Sequence, residues 1–181
     1  MSEPYTKPQI ELLQVGECCH VYNRGNNREN LFREKQNYAH SLKLYGRHIA
    51  PIAETYAFCL LSNHFHLLIR IREHALDAHR TSQQFSNLFN AYARSFNKTY
   101  GRTGTLFAQA FKRKHVATDA YITRAVVYIH RNPQHHGFVR DFRTWQHSSF
   151  HALRSTLPTR LSRTSVLNYF GGLEPFLAAH A

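Results

Sequence analysis

The run His64-Phe65-His66-Leu67-Leu68-Ile69-Arg70-Ile71 limits what this chain can fold into more than any other stretch. It reads as a β-strand, in which alternate side chains share a face. His64 and His66 then project together, while Phe65, Leu67, Ile69 and Ile71 point the other way, into a core. The preceding segment, Thr55-Tyr56-Ala57-Phe58-Cys59-Leu60-Leu61, is apolar enough to be a central strand, and Ser62-Asn63 between the two is a tight turn. The spacing predicts a hairpin over 54–61 and 64–71.

The remaining elements order themselves around that hairpin. Glu17–Arg24 reads as a strand that breaks at Gly25-Asn26-Asn27, a turn composition. Residues 34–49 carry Tyr38, Leu42, Tyr45 and Ile49 at helical spacing. Residues 81–98 form a second helix, with Thr81 or Ser82 as N-cap and an apolar stripe of Phe85, Leu88, Phe89, Tyr92 and Phe96, read as core packing. A short turn and a basic strand follow over 106–116. A third helix spans 119–132, burying Ile122, Ala125, Val126 and Ile129, and Pro133 is expected to stop it. A last short helix falls near 166–171.

The order β–α–β–β–α–β predicts an α+β chain with a ferredoxin-like βαββαβ antiparallel sheet and helices on one face, plus an added C-terminal helix and tail. A single domain is expected over 1–181, with an N-terminal arm over 1–15, a catalytic core over 16–133 and a C-terminal extension over 134–181.

Charge narrows the partner. Lys and Arg outnumber Asp and Glu by 23 to 11, a formal charge of +12. That excess favours a polyanion, nucleic acid first. No apolar run of membrane length and no long basic amphipathic helix argues for a membrane partner. Cys18, Cys19 and Cys59 are odd in number and lack zinc-finger spacing, which fits reduced thiols in the cytoplasm. Candidate nucleic-acid contacts are Arg24, Asn26, Asn27 and Arg28 around the first turn, Arg102 after the second helix, and Lys112, Arg113 and Lys114 on the basic strand.

Two imidazoles on one strand face can bind a divalent metal through neutral ring nitrogens, but need a further oxygen or amide ligand. Asn132 offers a carbonyl oxygen, provided that the third helix crosses the sheet face near His64 and His66. Tyr128 lies one turn back on the same helical side. A nearby divalent cation, or a phosphate it polarises, stabilises a phenolate and makes tyrosine attack on phosphate feasible. One geometry satisfies all of these residues at once.

These residues resemble the HUH single-tyrosine transposases, in particular the branch of REP-associated tyrosine transposases. The matching blocks are His20–Arg28, Leu60–Leu68, Ala91–Asn97, Gly104–Phe107, Tyr128–Pro133 and Trp145–Phe150, in the family's order and spread over roughly residues 19–171. The resemblance implies a metal-dependent nuclease and strand transferase acting on single-stranded DNA with hairpins. It implies His64, His66 and Asn132 as metal ligands, Mg²⁺ or Mn²⁺ as the ion, and Tyr128 as the nucleophile that leaves a 5′-phosphotyrosine and a free 3′-OH. A monomer or a homodimer fits it. Leu61-Ser62 stands where many relatives have Met-Pro, and Gln109-Ala110 replaces a more usual Gly-Arg pair, which puts one DNA-contacting arginine in doubt. Two rivals are a non-catalytic binder that stacks single-stranded nucleic acid on sheet aromatics such as Tyr22 or Tyr56, and a metal-dependent hydrolase that uses bound water.

Overall fold

The computed structural model describes residues 12–75 and 77–181. The sheet contains β1 (Cys18–Arg24), β2 (Ala53–Leu60), β3 (His64–Ile71) and β4 (Lys112–His115) in the order β2-β3-β1-β4, with every neighbouring pair antiparallel. The helices between them are α1 (Lys35–His48) and α2 (Ala78–Tyr100), and α3 (Asp119–His135) follows β4. This is the ferredoxin-like βαββαβ arrangement that the element order implies. Three further helices close the chain: α4 (Phe150–Arg154), α5 (Arg163–Phe170) and α6 (Leu173–Ala179).

The alternation of β3 sorts the molecule into two cores. Phe65, Leu67, Ile69 and Ile71 join Cys19 and Val21 of β1 and the α2 stripe Phe85, Leu88, Tyr92 and Phe96 beneath α1 and α2. The opposite sheet face, with Cys18, Ala57, Cys59 and Leu68, packs on Ile122, Ala125, Val126 and Ile129 of α3. Helices therefore cover both faces: α1 and α2 on one, α3 and the C-terminal helices on the other. All three cysteines are buried and outside any disulfide. No helix among the described residues is long and apolar enough to cross a membrane.

Several boundaries move for physical reasons. α2 starts at Ala78 because Asp77 caps it by accepting from the Arg80 backbone N–H, ahead of the expected Thr81 or Ser82. α3 does not stop at Pro133; it continues to His135. The proline sits in the last turn, so its missing N–H costs a hydrogen bond only at a helix end. Its carbonyl accepts from the Phe138 N–H at 2.8 Å, folding the exit turn back. Of the segment expected as an arm, residues 1–11 lie outside the described residues, and Leu13 is fully buried in the α1/α2 core. Leu42, assigned to the buried face of α1, is 43% exposed.

Candidate metal and nucleophile site

Strand register builds one half of the site. β1 runs antiparallel to β3 with Tyr22 opposite His66 and Arg24 opposite His64. Directly opposed residues share a face, so Tyr22, Arg24, His64 and His66 lie on the α3 side, with His20 two residues before Tyr22. α3 supplies the other half. The Tyr128 ring lies 5.8 Å from that of His66 and 6.2 Å from that of His20. The His136 ring, two turns further along the same stripe, lies 4.7 Å from that of His64. Asn132 falls midway between Tyr128 and His136 at the i, i+4, i+8 spacing, on the same helical stripe as the two residues whose rings reach the histidine pair.

Local hydrogen bonds aim the donor atoms. His64 Nδ1 lies 2.6 Å from Asn63 Oδ1. A carboxamide oxygen only accepts, so Nδ1 carries the proton and Nε2 is bare. Asn132, completely buried, donates from Nδ2 to the Tyr128 carbonyl at 2.7 Å, which leaves Oδ1 unused. His66 Nδ1 lies 2.9 Å from His20 Nε2. What remains is a set of orphans: His64 Nε2, His66 Nε2 and Asn132 Oδ1 are all buried without a hydrogen-bond partner. Buried polar atoms are rarely left this way, and these three belong to the three residues the sequence pattern brings together.

Electrostatics keep the rings neutral. Burial pushes His64 down to about 4, with His136 adding to it. Burial and then the charge of Lys114 push His20 down to about 4. His66 is held well below the usual histidine range, by burial first and then by His20, His64 and His136. Neutral imidazoles with outward lone pairs are what a divalent cation binds. Among the described residues no group of three or more His, Cys, Asp or Glu side chains could hold a metal, so a cation at the histidine pair would need an amide or water as a further ligand, and Asn132 has the matching chemistry.

The site opens into a cleft of about 660 Å³ whose walls include Tyr22, Arg24, Arg28, Lys112 and Tyr128. Tyr128 is 45% exposed, so its hydroxyl is accessible. The turn after β1 is locked in place. A Cβ at Gly25 would lie 2.0 Å from the Glu29 carbonyl oxygen, its N–H donates to the Asn63 carbonyl, and the Asn26 N–H donates to the Leu106 carbonyl. Asn26 Nδ2 donates to Thr105 Oγ1 at 3.3 Å, and Asn27 takes a left-handed φ of 48°.

The other basic residues divide. Lys112 and Lys114 pair with Tyr22 and His20 on the histidine side, whereas Arg113 pairs with Val21 on the opposite face. There Arg113 donates to Ser82 Oγ at 2.7 Å and stacks on Phe111. Arg102 is tied to Glu29 at 2.5 Å and to Asn97 at 2.6 Å. The three consecutive cations therefore do not line one phosphate track, and Arg102 clamps the end of α2 to the first turn. Tyr56 is 1% exposed and offers no stacking surface, while Tyr22 lines the cleft. His130, by contrast, is wholly buried between His180 and Ser149. His20, Asn63 and His136 are site residues that sequence reasoning did not single out. Only the β1–β3 register reveals His20, although its period-2 spacing from Tyr22 was visible.

A ferredoxin-like sheet with a histidine pair on one face, crossed by a helix bearing an exposed tyrosine and a buried amide, is the arrangement implied by the resemblance to HUH single-tyrosine transposases. Comparison with known proteins finds similarity to proteins described as REP-associated tyrosine transposases. The chain is 31% identical over 105 residues to a curated Haemophilus influenzae protein described as a REP-associated tyrosine transposase, covering 54% of this chain and 59% of that protein. It therefore matches about three fifths of that relative's length. Its fold matches a solved REP-associated tyrosine transposase bound to a REP hairpin with a TM-score of 0.63 at 19% identity, covering 81% of this chain and 84% of the other. No family model matches the chain.

Proposed function

We propose that this chain is a metal-dependent single-stranded DNA endonuclease and strand transferase, a transposase of the HUH tyrosine type that cuts beside DNA hairpins. The observation that carries the reading is the set of three buried acceptors without partners, His64 Nε2, His66 Nε2 and Asn132 Oδ1, with both histidines lining a basic cleft beside the exposed Tyr128. The similarity to a transposase and to a hairpin-bound structure supports DNA as the partner.

Arg24, Arg28 and Lys112 attract and orient the phosphodiester in the cleft. The Tyr128 oxygen attacks phosphorus, the bond from phosphorus to the 3′ oxygen breaks, and the phenolic proton ends on the departing 3′-OH. The strand on the 3′ side of the cut stays joined to Tyr128 through its new 5′ phosphate, as a phosphotyrosine. Attack by a 3′-OH on that phosphotyrosine reverses the step and joins strands. Mg²⁺ or Mn²⁺ held by His64, His66 and Asn132 would supply Lewis-acid polarisation and charge neutralisation at the phosphate. Tyr128 lies beside His66 of its own chain, so a monomer suffices and a homodimer is not required. Three buried cysteines outside any disulfide suit a cytoplasmic enzyme.

The test is incubation with a hairpin oligonucleotide bearing single-stranded flanks, with Mn²⁺ or with EDTA. A denaturation-resistant protein–DNA adduct is expected with Mn²⁺ and not with EDTA. Reversible binding with no adduct under any metal would leave a non-catalytic binder. Cleavage that persists in Tyr128→Phe would make bound water the nucleophile.

A further inference from the structure

His20 lies outside the ligand set, yet its Nε2 sits 2.9 Å from His66 Nδ1, the ring nitrogen facing away from the orphaned Nε2. In a neutral imidazole one nitrogen donates and the other accepts, so this contact has two readings. If His20 donates, His66 carries its proton on Nε2 and cannot bind a cation there. If His66 donates from Nδ1, its Nε2 presents a bare lone pair.

The neighbours decide between them. A proton on His66 Nε2 would need an acceptor, and the candidates are His64 Nε2, bared by Asn63, and Asn132 Oδ1 on the helix packed against this strand. Neither forms a hydrogen bond with it; all three atoms are without a partner. Three buried acceptors without partners, on a strand and the helix packed against it, match the donor set a cation would take. We infer that His20 is a positioning residue: its Nε2 accepts the His66 Nδ1 proton, fixes the tautomer and turn of that ring, and so bares His66 Nε2 for the metal. The inference rests on the metal reading above and deepens it. A residue holding the far nitrogen of a metal-bound histidine is typically worth 10- to 100-fold in metal affinity. In this chain a second histidine on the neighbouring strand fills that role, where a carboxylate or carbonyl is commoner. Asn63 does the same for His64.

Two variants separate positioning from packing. His20→Phe keeps the ring's bulk and removes the acceptor. His20→Gln restores an oxygen close to where Nε2 sits. Two readouts apply: Mn²⁺ affinity, titrated by electron paramagnetic resonance without DNA, and the tautomer of His66, read from ring ¹⁵N shifts in EDTA. The expected results are a proton on His66 Nδ1 in the parent, about a 10- to 100-fold weaker Mn²⁺ affinity in His20→Phe, and recovery of most of it in His20→Gln. Unchanged Mn²⁺ affinity in His20→Phe, or a proton on His66 Nε2 in the parent, overturns the inference. A parent that binds no Mn²⁺ yet carries its proton on Nδ1 overturns the metal reading instead and upholds the hydrogen-bond assignment.

Discussion

Replacing Asn132 by alanine should separate metal binding from stability. Truncating a fully buried, hydrogen-bonded side chain ordinarily destabilises a protein. Here the side chain makes one bond, to the Tyr128 carbonyl, worth about 1 kcal/mol. Its other polar atom is buried with no partner, a burden of about 1–3 kcal/mol that the substitution removes. Alanine also gains about 0.5 kcal/mol of helix propensity over asparagine, and the small gap left behind costs about 1 kcal/mol. The terms nearly cancel, so in EDTA the variant should unfold within about 1 kcal/mol of the parent. Binding of a ligand at about 100 times its Kd stabilises a folded protein by about 2.7 kcal/mol. The parent should show an increment of that order on adding Mn²⁺, and Asn132→Ala should lose most of it. Urea unfolding of both proteins, with EDTA and with Mn²⁺, measures all four values. A variant more than about 2 kcal/mol weaker in EDTA, or one that keeps the full Mn²⁺ increment, refutes the reasoning.

Other predictions follow from the same geometry. Arg24→Ala and Arg28→Ala should each weaken binding to hairpin DNA and reduce the salt slope by about 0.7, the value per single-strand phosphate; equal affinity across a salt series would remove both from the interface. Arg102→Ala should instead lower stability by about 1 kcal/mol through loss of the Glu29 and Asn97 contacts, leaving the salt slope unchanged. The buried histidines make the fold acid-sensitive. His20 and His64 titrate at about 4 when folded and at about 6.5 when unfolded. Their contribution is complete above pH 6.5 and is lost as pH falls towards 4, because the unfolded chain takes up protons first. By pH 4 protonation of the unfolded chain costs the fold up to about 3 kcal/mol at His20 and less at the more exposed His64, and His66 and His130, also held well below the usual range, act in the same direction. A urea midpoint that stays constant from pH 7 to 4.5 would contradict this.

The sheet was legible because its signals are local. Alternation in β3 placed His64 and His66 on one face, and the element order gave the topology. The buried stripe of α3 was visible in its 3.6-residue period. Less was legible where neighbours are distant in sequence. His20 gained its partner through β1–β3 register, which no local pattern encodes, and His136 reached His64 only because α3 runs past Pro133. The basic run Lys112–Lys114 looked like one surface, yet a strand alternates, and Arg113 turned to Ser82 and Phe111. The C-terminal helices α4 and α6 are short, five and seven residues, too brief for periodicity to mark. They are held by packing, with Phe150, Phe176 and His180 gathered around His130.

The most direct test of the central claim is to identify the residue that becomes joined to DNA. A hairpin oligonucleotide is incubated with the protein and Mn²⁺, the adduct is digested with trypsin and nuclease, and the peptides are sequenced by mass spectrometry. The account predicts a nucleotide phosphate on the tyrosine of the peptide spanning residues 125–131, bounded by Arg124 and Arg131, and no adduct in Tyr128→Phe or His64→Ala. A phosphate on another residue such as Tyr22, or an adduct that survives Tyr128→Phe, would contradict it.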